Sequence, residues 1–175
     1  MDLIVNSSPH IIYGKLNKIN IFLKLFKEIE IPAAVYQEVI LEGLENKFED
    51  ALILKNYLDD GKIKIMRLGN NYLGLANKIQ NLNNIGIGES QAIALAKQLN
   101  RKELVIDESL ARETAKSLGL NPVGSLKVML LAYEGSILNE KEIEEIINKM
   151  IKMKFRVSAA TLIRFWELFE KIKKK

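Results

Sequence analysis

Residues 103–112 read Glu-Leu-Val-Ile-Asp-Glu-Ser-Leu-Ala-Arg, an apolar run closed by an acid and followed at once by a helical pattern. Such a run predicts a buried strand over 103–106 with Asp107 at its carboxyl end, and a helix over 109–118 stopped by Gly119. Outward from this stretch the same alternation recurs. Leu3-Ile4-Val5 predicts a strand closed by Asn6, and 19–26 a helix with Ile19, Phe22, Leu23 and Phe26 on one face. Residues 29–31 form a short apolar run ending at Pro32, which starts a helix to about Gly43, read as its C-cap. A helix over 45–58, a turn at Asp60-Gly61 and a strand over 63–66 follow. The Asn- and Gly-rich stretch 69–87 reads as a weak helix inside loops. Residues 89–99 give the clearest helix, with Ala92, Ile93, Leu95, Ala96 and Leu99 in one stripe. Pro122-Val123 is the remnant of a fifth strand, and helices over 124–133, 140–153 and 159–172 close the chain. Strands separated by helices predict an α/β three-layer sandwich around a parallel sheet.

At 175 residues, with no repeat and no linker, the chain is expected to form a single domain over 1–175, with a core over 1–135 and C-terminal helices over 136–175. Twenty-six basic and 22 acidic residues give a net charge of +4. From Ile151 onward eight Lys/Arg face only Glu167 and Glu170, so this segment carries +6 and the remainder −2. That basic end suits RNA phosphates, although Lys173–Lys175 equally suit a helix C-terminus. The absence of cysteine excludes disulfides and thiolate metal sites and fits a reducing cytoplasm. No apolar run approaches the ~20 residues needed to span a bilayer, so a soluble cytoplasmic protein without membrane association is expected.

The candidate site is drawn from the polar residues that close or interrupt these segments. Acids and amides at the carboxyl ends of parallel strands converge on the rim where α/β sheets build their sites. Asn6 offers a carbonyl oxygen to a metal or its water, or else an Asx turn. Ser7 and Ser8 are candidate caps for the turn into Pro9, or else a hydroxyl ligand or phosphate contact, with Ser8 the one assigned to substrate. Glu38 borders an apolar helical face, with Glu42 one turn away as a competitor. Glu89, just after Gly86-Ile87-Gly88, either complements the helix dipole or faces a ligand. Asp107 is an N-cap or a ligand, and Arg112 either an ordinary ion-pair partner or a bidentate phosphate contact. His10, the only histidine, reads as a loop residue, which leaves Ser-His-Asp catalysis poorly supported; no zinc spacing and no dinucleotide fingerprint occurs.

Taken together, the strand followed by Asn6-Ser7-Ser8-Pro9, the stretch Ile-Pro-x-x-Val-Tyr-x-Glu-Val at 31–39 and Gly-x-Gly-Glu-x-x-Ala-Ile-Ala-Leu-Ala at 86–96 resemble PIN-domain proteins. Leu-Val-Ile-Asp-Glu-Ser-x-Ala-Arg at 104–112, Leu118-Gly119-Leu120 and Val123-Gly124-Ser125-Leu126 extend the likeness, which covers roughly residues 2–135. It is nearest to a prokaryotic branch whose first motif is Asn-Thr-Ser-Pro. The resemblance implies a five-stranded parallel sheet in the order 3-2-1-4-5 and a Mg²⁺- or Mn²⁺-dependent ribonuclease, often the toxin of a toxin–antitoxin pair. Carried onto this chain, Asn6, Glu38, Glu89 and Asp107 take the catalytic and metal-binding positions, with Ser8 and Arg112 toward the substrate.

One departure divides the functional expectation. Most active relatives have Asp where this chain has Asn6, and an amide removes one negative charge from a site for a hard cation. Two readings stay open: an endoribonuclease, or a weak or inactive PIN-like module that binds RNA or a protein partner. The final helix carries Leu162, Ile163, Phe165, Trp166, Phe169 and Ile172, which predicts packing on its own core or a homodimer seam.

Overall fold

The computed structural model describes residues 2–174, so Lys175 of the basic run lies outside the described residues. The chain divides into two units, one ending at Gly124 and the other beginning at Ser125. In the first, β1 (Leu3–Val5), β2 (Ile29–Pro32), β3 (Ile63–Met66), β4 (Glu103–Val105) and β5 (Asn121–Val123) form one sheet. Its order is β3-β2-β1-β4-β5, and every neighbouring pair is parallel, as the sequence predicts. Pro122 sits on edge strand β5, where its missing N–H removes no internal ladder bond.

Each parallel step needs a crossover, and helices supply it. Ser7–Lys15 and Asn20–Leu25 join β1 to β2. Ala33–Tyr36 runs into a π-helical turn over Gln37–Glu42 and on through Gly43–Glu45 before Glu49–Asp59 leads to β3. Asn70–Asn83 and Ile87–Gln98 join β3 to β4, and Ser109–Ser117 joins β4 to β5. Strand residues alternate between faces. Ile4, Leu104 and Ile106 pack with Ile93, Ala96 and Ala111 in one buried cluster. Leu3, Val5 and Val105 point the other way and are equally buried, so both faces are covered. Burying each such Ile or Leu contributes roughly 1.5–3 kcal/mol, which is why three-residue strands hold.

Three local expectations are corrected. Residues 70–83 form a full helix, because Ala76 and Ile79 bury a stripe that outweighs the weak propensity of five asparagines; Asn84, with φ 50°, ends it in the left-handed conformation. His10 is not a loop residue: Ser7–Lys15 is helical and buries it, with Pro9 tolerated in the first turn, where backbone N–H groups lack helical partners anyway. Gly43 is not a C-cap. It has helical φ and ψ, and a Cβ there would lie 2.6 Å from Ala51 Cβ, so this glycine is required by helix contact.

The second unit contains the helices Ser125–Glu134, Glu140–Lys152 and Ala159–Lys173. Asn139 and Glu142 form a reciprocal capping box at 3.0 and 2.9 Å, and Ser158 caps the last helix through the Thr161 N–H. Phe165 and Phe169 turn inward, the latter 4.7 Å from the Tyr133 ring, so part of the apolar stripe of the final helix is spent within its own unit. Among the described residues no helix is long and apolar enough to cross a membrane.

A Gly43→Ala variant gains ~1 kcal/mol of helix propensity but meets Ala51, an overpacking cost of about 1–3 kcal/mol. Its urea midpoint is expected to fall, and adding Ala51→Gly to restore the gap should recover part of the loss.

Candidate active site

Pairing of β1 with β4 extends one residue past the strand: the Asn6 N–H donates to the Val105 carbonyl at 2.9 Å. Asn6 is therefore held at the sheet's carboxyl rim, 1% exposed, and serves as N-cap of Ser7–Lys15. A capping asparagine normally accepts from the second or third helical N–H. Here the third residue is Pro9, which has none, and the Asn6 side chain makes no capping bond. Instead its Nδ2 donates to Glu89 Oε1 at 3.1 Å. Asn6 Oδ1 is buried and has no hydrogen-bond partner among the described residues.

Ser7 completes the turn. Its buried hydroxyl donates to Glu38 Oε2 at 2.6 Å. Glu38 comes from the π-helical turn, a distortion found disproportionately where a helix has to aim a side chain. Glu89 lies in the first turn of Ile87–Gln98, where the helix dipole favours an anion, and its carboxylate folds back over Gly86 so closely that a Cβ there would overlap Oε2.

Gly88 shows how tightly these groups converge. A Cβ at that position would lie 3.2 Å from Asn6 Oδ1, 3.2 Å from Ser7 Oγ and 3.3 Å from Glu38 Oε2. Three oxygens from two separate elements thus surround one point, and any side chain there would have to displace them by a few tenths of an ångström. The sequence named Ser7 as a cap or hydroxyl ligand and the glycines around Glu89 as room for a ligand, but not that Ser7 holds Glu38 or that Gly88 borders the same oxygens. The one available signal was Pro9, which sets the helix start at Ser7 and so turns that hydroxyl inward, whereas Ser8 is exposed.

Asp107 and Arg112 stand at the end of the adjoining strand. Asp107 lies two residues beyond Val105 and is half-buried; Arg112 Nη1 donates to its backbone carbonyl at 2.6 Å. A Cβ on Gly124 would come within 3.2 Å of Asp107 Oδ1 and 3.4 Å of Arg112 Nη1. Glu108, not Asp107, caps the following helix, accepting from the Leu110 N–H. Burial, then the Asp107 charge, pushes the Tyr13 phenol well above its ordinary range. The structure therefore joins Asn6 to Glu89 and the adjacent Ser7 to Glu38, whereas Asp107, past the end of β4, pairs with Arg112 from the following helix. Among the described residues no group of three or more His, Asp and Glu side chains forms a ready metal cage.

The family follows from this chain's own match. A family model for the PIN domain covers residues 2–171. The chain belongs to the PIN-domain family. No curated protein matches it. The PIN domain is a nuclease-type fold, and the observed sheet order agrees with it. The donors around Gly88 suit what such a fold takes. The Glu38 carboxylate, the Ser7 hydroxyl and the orphaned Asn6 amide oxygen are hard oxygen ligands, with Glu89 tied to the same asparagine, and Mg²⁺ commonly uses one or two carboxylates and keeps several waters.

Behind the PIN site, His10 Nδ1–H donates to the Asn6 carbonyl at 2.9 Å, and Nε2 is buried without a partner among the described residues. Burial lowers the imidazole pKa to about 4, with the bond to Asn6 opposing the shift. The unfolded chain, titrating near 6.5, binds the proton first. Stability from the neutral ring is thus complete above pH 6.5 and is lost as pH falls toward 4, on the order of 3 kcal/mol in all. Urea midpoints taken from pH 7.5 to 4.5 should fall more steeply for the native chain than for His10→Gln; equal slopes would show that His10 is not the titrating group.

Proposed function

We propose that this PIN domain is a metal-dependent endoribonuclease that uses Mg²⁺ or Mn²⁺, with the whole chain acting as one functional domain. The observation that carries the reading is the meeting of Glu38, Ser7 and the orphaned Asn6 Oδ1 around Gly88, with Glu89 tied to the same asparagine. Glu38, Glu89 and Asp107 would hold the cation, directly or through water, and Asn6 Oδ1 would orient a ligand water. A bound Mg²⁺ or Mn²⁺ supplies Lewis acidity toward water and toward the phosphodiester oxygens. Ser7 fixes the Glu38 carboxylate. The exposed Ser8 hydroxyl and the Arg112 guanidinium are the donors assigned to phosphate.

Charge in the second unit supports an RNA substrate. Lys173 is engaged by Glu140 at 2.6 Å and Glu170 at 3.6 Å, and Arg164 by Glu167 at 3.1 Å. Lys149, Lys152, Lys154 and Arg156 are exposed, with no ion pair among the described residues. Four exposed cations over the end of Glu140–Lys152 and the connection after it suit a phosphate backbone. We further assign the protein to the cytoplasm, as a toxin-like nuclease with an antitoxin partner, and as a homodimer; the 61% exposed Ile163 is the observation that favours a seam.

The second reading is a PIN module that binds RNA or a protein partner without cutting. It is favoured by the amide at Asn6, which gives the site a donor where a cation wants a charge.

Cleavage of labelled RNAs, with Mg²⁺ and with Mn²⁺, separates the two. Activity abolished by EDTA and reduced roughly 100-fold or more in Glu38→Gln, Glu89→Gln and Asp107→Asn is the expected result. Gly88→Ala should lose activity by crowding the three oxygens, with the ~1 kcal/mol gained in helix propensity offset by those contacts, so that thermal stability changes little or falls. No cleavage of any RNA, together with no saturable Mn²⁺ binding, would establish the module instead.

A further inference from the structure

The two ends of the sheet treat their acids differently. At the amino end Asp2 and the buried Glu30 are met by a cation, Arg101, at 2.8 and 3.5 Å. At the carboxyl end Glu38 and Glu89 are each met by a neutral donor, Ser7 and Asn6. Two carboxylates held by neighbouring, buried residues repel, and the usual remedies are a cation between them or a shared proton. Neither is needed for the arrangement found here.

We propose that Asn6 and Ser7 are positioning residues that keep the acidic site assembled in the absence of any cation. The inference rests on Glu38 and Glu89 being the cation-facing acids, and it goes beyond that reading in saying what holds them when no cation is bound. The scaffold is rigid. Asn6 is pinned by its N–H to Val105 and by its carbonyl, which accepts from His10 Nδ1–H, and its side chain is buried. Ser7 is likewise buried, so its hydroxyl has little freedom to leave Glu38. Each donor satisfies one carboxylate oxygen, and the other oxygen of Glu38 and of Glu89 makes no protein hydrogen bond among the described residues. Asn6 Oδ1 remains as a preformed ligand position beside Glu38.

An aspartate in place of Asn6 has the same shape and the opposite electrostatics. It would turn the bond to Glu89 into a contact between two acceptors, so that assembly would need a cation. The lower cation affinity expected of the amide is then the counterpart of a site that does not come apart when empty.

Thermal unfolding at pH 8, without RNA, tests this. The native chain should unfold at nearly the same temperature in EDTA and in buffer alone, and rise only modestly with Mn²⁺. Asn6→Asp should unfold roughly 5 °C or more below it in EDTA, and gain more than the native chain from Mn²⁺. Adding Glu89→Gln to Asn6→Asp restores a donor–acceptor pair, and should return the EDTA value to within about 2 °C of native. If Asn6→Asp does not fold in EDTA, recovery on adding Mn²⁺ or the Glu89→Gln change gives the same support. An Asn6→Asp protein as stable as native in EDTA, or one rescued by neither, overturns the proposal. The readout is independent of cleavage: a chain that cuts no RNA can pass, and a chain that cuts RNA can fail.

Discussion

The hydrogen bond from the Asn6 N–H to the Val105 carbonyl continues the β1–β4 ladder beyond the strand, and the geometry of the rim depends on it. Parallel pairing places the carboxyl ends of neighbouring strands side by side, so the chain leaves β1 and β4 at adjacent points and on the same edge. The segment after β2 and the helix before β4 are then the elements within reach of Asn6 and Ser7, and they deliver Glu38 and Glu89. Slide that pairing by one residue and Asn6 would face the opposite side of the sheet.

Local chemistry finishes what topology begins. Pro9 denies the Asn6 side-chain oxygen one of its ordinary capping donors, and Oδ1 is left without a partner among the described residues while Nδ2 donates to Glu89. Gly88 denies the site a side chain and so leaves a space lined by three oxygens. Both residues act through a group they lack. The same economy appears in the helix contact at Gly43 and Ala51, where an absent methyl sets how closely two segments approach.

Much of this was legible in the sequence because it rests on period and punctuation. Apolar runs of three or four residues closed by Asn6, Pro32 or Asp107 gave the strands, and with the family motifs the sheet order. The stripe from Ala92 to Ala96 gave the central helix. Asn6, Glu38 and Glu89 were singled out from their positions relative to those elements, and the structure ties Asn6 to Glu89 and Ser7 to Glu38. What escaped depends on tertiary contact. The helix over Asn70–Asn83 was expected only as a weak one inside loops, and its full length comes from Ala76 and Ile79 finding a core against the asparagine content. Ser7 and Ser8 are indistinguishable until the helix start fixes which hydroxyl faces inward. His10 looked like a loop residue because its burial comes from packing, including the Phe22 ring at 6.4 Å.

The π-helical turn over Gln37–Glu42 fits a wider loop of backbone into the segment that carries Glu38. Each residue of an ordinary helix advances the direction of its side chains by ~100°. The turn is therefore a phase adjustment, setting the azimuth of one acid apart from the apolar face made by Val39 and Ile40. Chain length between Pro32 and Gly43 is then under a constraint that composition does not reveal. Exchanging one exposed residue for another leaves the phase untouched, whereas gaining or losing a single residue swings the carboxylate away from Ser7 with the sheet intact.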